Sequence, residues 1–212
     1  MLDFRLCVIT EEWQGRSHLD VARAALSAGV GCIQLRDKSR PTRELVALGE
    51  QIVVLCCEAR AMLIVNDRPD VACAVGADGV HLGDQDMPVG LARKLFESAG
   101  RRMIIGASAS TAEEAARLVR EGADYVSVGP VFPTTTKADA GAAVGLEAVE
   151  RVKKGCAVAV VAIGGINAQN VESVLRAGAD AVAVISAVSR ADDMEKAAGE
   201  LLAAIAAVPE ER

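Results

Sequence analysis

Two kinds of hydrophobic pattern alternate along the chain. Short aliphatic runs, rich in Val, Ile and Leu, fall near residues 6–10, 32–36, 62–65, 79–82, 103–106, 125–128, 157–163 and 181–185. Such unbroken runs suit strands buried on both faces, where neither face needs polar residues. Between them, at 17–28, 42–59, 69–75, 88–99, 111–122, 146–154, 167–177 and 192–206, apolar residues return every three or four positions, the spacing of one helix face. Ser110 and Glu113 spell a capping box at the start of one helix, and Pro69 and Pro88 stand where first-turn prolines belong. Eight strands alternating with eight helices predict an α/β fold, a single-domain (β/α)8 TIM barrel spanning 1–212, smaller than the usual size of roughly 250 residues. A doubly wound open sheet is the alternative, but no G-x-G-x-x-G follows the first strand.

An internal echo supports the barrel. Gly76-Ala-Asp-Gly-Val80, Gly122-Ala-Asp-Tyr-Val126 and Gly178-Ala-Asp-Ala-Val182 share one form, and Gly29-Val-Gly-Cys-Ile33 is a weaker copy. Each lies between a helical segment and a strand, so the glycine fits a position just past a helix end. Successive glycines stand 47, 46 and 56 residues apart, about the length of two βα units.

Composition narrows the function. A net charge of −6 and only one Trp, one Tyr and three Phe argue against nucleic-acid binding, which wants a basic face or stacking rings. The longest apolar runs, 157–163 and 201–208, are far short of the ~18 residues of a membrane span. Asp3 and Arg5 interrupt the first ten residues, which predicts no signal-peptide core. The six cysteines, Cys7, Cys32, Cys56, Cys57, Cys73 and Cys156, include no C-x-x-C, and the expectation is buried thiols in a reducing cytoplasm. Oligomeric state is left open, a homo-oligomer included.

In a barrel the chemistry belongs at the C-terminal ends of the strands. There, Gln34, Arg36 and Lys38 alternate and so project to one side of a strand, which calls for an anionic ligand or for salt bridges to Asp37 and Glu44. Asp67 and Asp86 each precede a proline by two residues, a spacing that suits a helix N-cap and a metal ligand alike. As a pair near Arg36, Lys38 and Lys137 they suggest Mg²⁺ held together with phosphate oxygens, since Mg²⁺ takes one or two carboxylates and completes its shell from water and substrate. Gly164-Gly165 and Ile185-Ser186 follow the last two strands, where backbone N–H groups bind phosphate in many barrels; a glycine pair also serves close packing. Thr134–Thr136 and Lys137 open a small-residue loop, 138–145, that suits closure over a ligand or simple solvation. His18 and His81 pair with no Ser or Cys in a hydrolase pattern, and His81 reads as a satisfied core residue.

The ordered set Gln34-Leu-Arg-Asp-Lys38, Asn66-Asp67, His81-Leu-Gly83 with Asp86, Gly106-Ala-Ser108, Gly129-Pro-Val-Phe-Pro-Thr-Thr-Thr-Lys137, Gly164-Gly-Ile166 and Val184-Ile-Ser186 resembles the thiamine phosphate synthase family across almost the whole chain. Asp84 and Ser110 depart from it, since Gln and His are more frequent there. The resemblance implies a transferase that joins 4-amino-2-methyl-5-hydroxymethylpyrimidine diphosphate to a thiazole phosphate, giving thiamine phosphate and pyrophosphate. It implies that Gln34, Arg36, Lys38, Asn66, Ser108 and Lys137 hold the pyrimidine diphosphate. Arg36, Lys38, Ser108 and Lys137 would act in catalysis, and Asp67 and Asp86 would bind Mg²⁺. Thr134, Thr136, Gly165, Ile185 and Ser186 would hold the thiazole phosphate. Three rivals remain: a thiazole tautomerase-like isomerase, a Schiff-base aldolase using Lys137, and a non-catalytic phosphate-ligand-binding barrel. The first should lack the aspartate pair, and the second needs a desolvated lysine rather than one in a polar loop.

Overall fold

Every aliphatic run becomes a strand, and the eight strands close on one another. The computed structural model describes residues 4–136 and 141–209. Along the chain lie β1 (Leu6–Ile9), α1 (His18–Ser27), β2 (Cys32–Leu35), α2 (Thr42–Ala59), β3 (Met62–Asn66), α3 (Pro69–Val75), β4 (Gly79–Leu82), α4 (Val89–Ser98), β5 (Ile104–Ser108), α5 (Ala112–Glu121), β6 (Tyr125–Val128), α6 (Gly145–Gly155), β7 (Ala159–Ile163), α7 (Val171–Arg176), β8 (Ala181–Val184), α8 (Ser186–Ser189) and α9 (Met194–Ala206). Each strand pairs in parallel with the next, and β8 pairs with β1 to complete a closed barrel. Alternate residues face alternate sides. Cys7, Ile9, Cys32, Ile64, Tyr125, Val161 and Ala183 fill the barrel, with Phe4 against its lower end. Leu6, Val8, Ile33, Leu35, Leu63 and Val65 face outward into the layer beneath the helices.

The repeated G-A-D has a structural meaning beyond the helix end. Gly76 and Gly122 terminate α3 and α5 with φ of +72° and +108°, and Gly178 follows α7 with φ of +97°. The aspartate two residues later then stitches the bottom of the barrel. Asp78 Oδ2 accepts the Leu63 N–H at 2.8 Å, Asp124 Oδ2 that of Ile105 at 2.8 Å, and Asp180 Oδ2 that of Val160 at 2.7 Å. So β4, β6 and β8 each tie to the odd strand before them, which is why the echo recurs every two βα units. The weak copy has Gly31 in the aspartate's place and makes no such side-chain tie.

Several boundaries differ from expectation for local reasons. The helix cap at α5 is Thr111, whose side chain accepts the Glu114 N–H at 3.1 Å; Ser110 instead gives its own N–H to Glu114 Oε2. Pro88 occupies the N-cap position of α4, and Pro69 is the first residue of α3. Asn167 and Asn170 turn on themselves through side-chain bonds to Gln169 and Asn167 N–H groups, which delays α7 to Val171. The short α8 was not anticipated, because four residues are too few to carry a helical period. Cys57 is exposed, against the expectation for the cysteines; it falls on the outer side of α2, whereas Cys56 faces the core. Among the described residues no helix is long and apolar enough to cross a membrane.

Candidate functional site

The C-terminal strand ends and the loops above them enclose a cavity of about 260 Å³. One end is charged. Arg36, Lys38, Asn66, Asp67 and Asp86 line it, while Gln34 lies deeper, in the strand register between Ile9 and Ile64, and is 4% exposed. The alternation of Gln34, Arg36 and Lys38 therefore places them on one side but at different depths. Asp37 and Glu44 are not the partners of this strand: Asp37 bonds to Arg40 Nε at 2.9 Å and Glu44 lies 3.7 Å from Arg40 Nη1, whereas Lys38 Nζ forms an ion pair with Asp67 Oδ2 at 3.6 Å.

Neither aspartate caps a helix. The N-cap positions of α3 and α4 belong to Arg68 and Pro88, and no side chain bonds there. Asp67 instead adopts φ of +63°, a left-handed conformation that Asp tolerates, while its N–H donates to His81 O at 2.8 Å. The ladder thus continues one residue beyond β3 before the chain turns, and the carboxylate is aimed into the cavity. Asp86 Oδ2 accepts the Gly83 N–H at 2.7 Å, which fixes it across from Asp67. Burial, then a hydrogen bond to Asp86, then the charge of Asp86 push the Asp67 carboxyl up to about 6, with Lys38 and Arg36 opposing. Two carboxyls this close repel one another when both are charged, so a cation placed between them would be favoured. Among the described residues no cluster of three or more His, Cys, Asp or Glu is arranged for a metal. Two hard oxygen donors beside an open cavity fit Mg²⁺, which draws its remaining ligands from water and phosphate.

Along the wall, Ser108 at the end of β5 and Ser127 on β6 are register partners and both line the cavity. His81 lines it too. Its Nε2 lies 3.1 Å from Ser108 Oγ and its Nδ1 3.0 Å from Tyr125 Oη, so both ring nitrogens are engaged, as expected of a satisfied histidine. Its presence in the site was missed. The signal was available: Val80 and Leu82 point outward, so His81 between them has to point in.

Among the described residues the opposite end is neutral. Thr136 Oγ1 donates to Ser186 Oγ at 3.0 Å, and Thr134 Oγ1 lies 3.2 Å from Thr136 Oγ1. Gly164 and Gly165 hold φ of +102° and +66°. A Cβ on Gly164 would come within 2.5 Å of Pro130 Cα, and one on Gly165 within 2.7 Å of Phe132 Cβ. The pair is therefore demanded by packing and also lines the cavity, beside Ile185 and Ser186 at the start of α8. Lys137 and residues 138–140 of the expected loop lie outside the described residues.

Comparison with known proteins agrees with this geometry. The model of the family described as thiamine monophosphate synthase matches residues 6–188. The chain belongs to that family. The thiamine-phosphate synthase of Methanospirillum hungatei is 50% identical over 198 residues, 92% of this chain and 95% of the relative. That of Chloroflexus aurantiacus is 45% identical over 212 residues, 99% of this chain and 96% of the relative. A solved thiamine phosphate pyrophosphorylase from Pyrococcus furiosus superposes with a TM-score of 0.88 at 41% identity, each chain 98% covered.

Proposed function

We propose that the chain is a thiamine phosphate synthase, a transferase that joins 4-amino-2-methyl-5-hydroxymethylpyrimidine diphosphate to a thiazole phosphate and releases pyrophosphate. The observation that carries the reading is the polarity of one cavity: Arg36, Lys38 and the Asp67–Asp86 pair at one end, the Thr136–Ser186 hydroxyl pair with Gly165 at the other. A diphosphate suits the first end and a monophosphate the second, which leaves the two organic groups facing each other between them.

Arg36 and Lys38 bind the diphosphate, joined by Lys137 on the strength of the family resemblance, and neutralise the charge that grows on pyrophosphate as it departs. Asp67 and Asp86 would hold Mg²⁺, which would supply further charge neutralisation for the departing pyrophosphate. Asn66 and Ser108 add neutral donors at the cavity wall, and the buried Gln34 backs the pyrimidine end. The aminopyrimidine is electron-rich enough to carry the positive charge left on its methylene, and the thiazole nitrogen then captures it. Such a path asks the protein for no nucleophile and no strong base. Thr134, Thr136, Gly165, Ile185 and Ser186 hold the thiazole phosphate so that its nitrogen points at the methylene. One barrel domain spanning the chain carries the whole reaction, in the cytoplasm.

Pyrophosphate release that needs both substrates and Mg²⁺ tests the proposal. Asp67→Asn and Asp86→Asn are each expected to lose most turnover while keeping the barrel. Release with one substrate alone, or isomerisation of a thiazole without pyrophosphate release, overturns it.

A further inference from the structure

A row of inward-facing groups crosses the barrel at the base of the cavity, where His81 forms part of the lining. His81 on β4, Gly106 on β5 and Tyr125 on β6 are register partners in turn. Gly106 has no side chain, and a Cβ there would overlap the Tyr125 ring. The missing side chain lets Tyr125 lean across β5 onto His81, with ring centroids 5.6 Å apart and planes 25° from parallel. Tyr125 Oη then lies 3.0 Å from His81 Nδ1, and His81 Nε2 lies 3.1 Å from Ser108 Oγ. The three groups form a chain that leads from the barrel core to the cavity surface.

Proton positions in this chain follow from its buried end. Tyr125 is 3% exposed, and Phe4, Cys7 and Cys32 surround it. Burial first, then those thiols, push its phenol well above the ordinary value, so it keeps its proton. Nδ1 is the acceptor offered to that proton. If Nδ1 carried the hydrogen instead, the phenol hydrogen would be left without a partner in the core, a loss of about 1–3 kcal/mol. Nδ1 therefore accepts, Nε2 carries the imidazole hydrogen, and that hydrogen goes to Ser108 Oγ.

We infer that Tyr125 and His81 are positioning residues that set the direction of the Ser108 hydroxyl. With its oxygen already accepting from His81, Ser108 is left to donate its own hydrogen into the cavity, where an anionic phosphate oxygen is the acceptor. A serine free to rotate would spend part of its time accepting, which an anion repels. The inference rests on the proposed function for the identity of that anion, whereas the direction of the chain does not depend on it.

Two measurements separate these. In the ¹⁵N-labelled chain, which has only two histidines, long-range imidazole correlations should show His81 with hydrogen on Nε2 and none on Nδ1. Tyr125→Phe keeps the ring and the space it fills; it should blur that preference and lower kcat by roughly ten- to a hundredfold, less than outright loss of an oriented donor, with the KM of either substrate within about twofold. His81→Gln, whose amide can accept from Tyr125 and donate to Ser108, should retain more of the rate than His81→Leu. Hydrogen on Nδ1 in the unsubstituted chain overturns the inference, as does an unchanged kcat in Tyr125→Phe. If the unsubstituted chain releases no pyrophosphate, the functional reading fails, and the tautomer still decides the direction of the chain.

Discussion

At Asp67 stability and function pull in opposite directions. Its carboxyl is pushed from 3.8 up to about 6 in the folded chain, by burial and by Asp86. Between those values the folded form holds a proton that the unfolded form has lost, so stability falls as pH rises through this window and stays low above it. Asp67→Asn removes the penalty. In EDTA at pH 8 the variant is expected to melt higher than the parent, and the gap should close as pH falls toward 4; a lower melting temperature at pH 8 would contradict the paired-carboxyl account. Its turnover should collapse all the same, because an amide is a poor Mg²⁺ ligand. Ser186 offers a cleaner separation. Ser186→Ala removes one hydroxyl from the phosphate end, and should raise the KM for the thiazole phosphate by roughly five- to thirtyfold, about 1–2 kcal/mol, while leaving that for the diphosphate alone. Steady-state kinetics with each substrate varied in turn decides it.

Among the elements, the two ends of each strand have different duties. The lower ends are stitched by Asp78, Asp124 and Asp180, and Asp124 also takes Arg93 Nη2 at 2.6 Å. Asp124→Ala leaves the Ile105 N–H and the Arg93 guanidinium without this acceptor. The expected effect is about 1–3 kcal/mol of lost stability in urea, with both KM values unchanged, since the residue lies at the face opposite the cavity. A changed KM with unchanged stability would reverse the assignment. The upper ends bear the chemistry, and how far they could be read from the sequence varied. Arg36, Asp67, Ser108 and Ser186 were legible because polar residues at the ends of aliphatic strands have few other reasons to be there. His81 was legible only in part: alternation along β4 turns it into the barrel, but whether it opens on the cavity depends on its depth and on Tyr125 two strands away. The choice between capping and metal binding at Asp67 and Asp86 was not legible. That choice turns on a φ of +63° and on where each helix begins, within one residue.

The described residues form a closed barrel whose cavity has, among them, a charged end and a neutral end, and its response to ligands should reflect that division. Pyrophosphate and Mg²⁺ together are expected to raise the melting temperature more than the sum of their separate effects, because each supplies ligands the other needs. At a hundredfold excess over Kd, mass action contributes about 2.7 kcal/mol, roughly 5–10 °C for a chain of this size. Additive shifts in a thermal-shift titration would separate the metal from the anion site. The sequence by itself determined the barrel, because eight aliphatic runs alternating with amphipathic helices leave few other ways to bury every strand on both faces. It also determined most of the residues at the strand ends, since charge in such a place needs a partner. Only the tertiary structure decided the rest: that Gln34 is buried between Ile9 and Ile64, that the Asp67 and Asp86 carboxyls face one another, and that Gly106 lets Tyr125 reach His81 and through it Ser108. Those relations join residues from neighbouring strands, and the pairing of the strands is what brings them together.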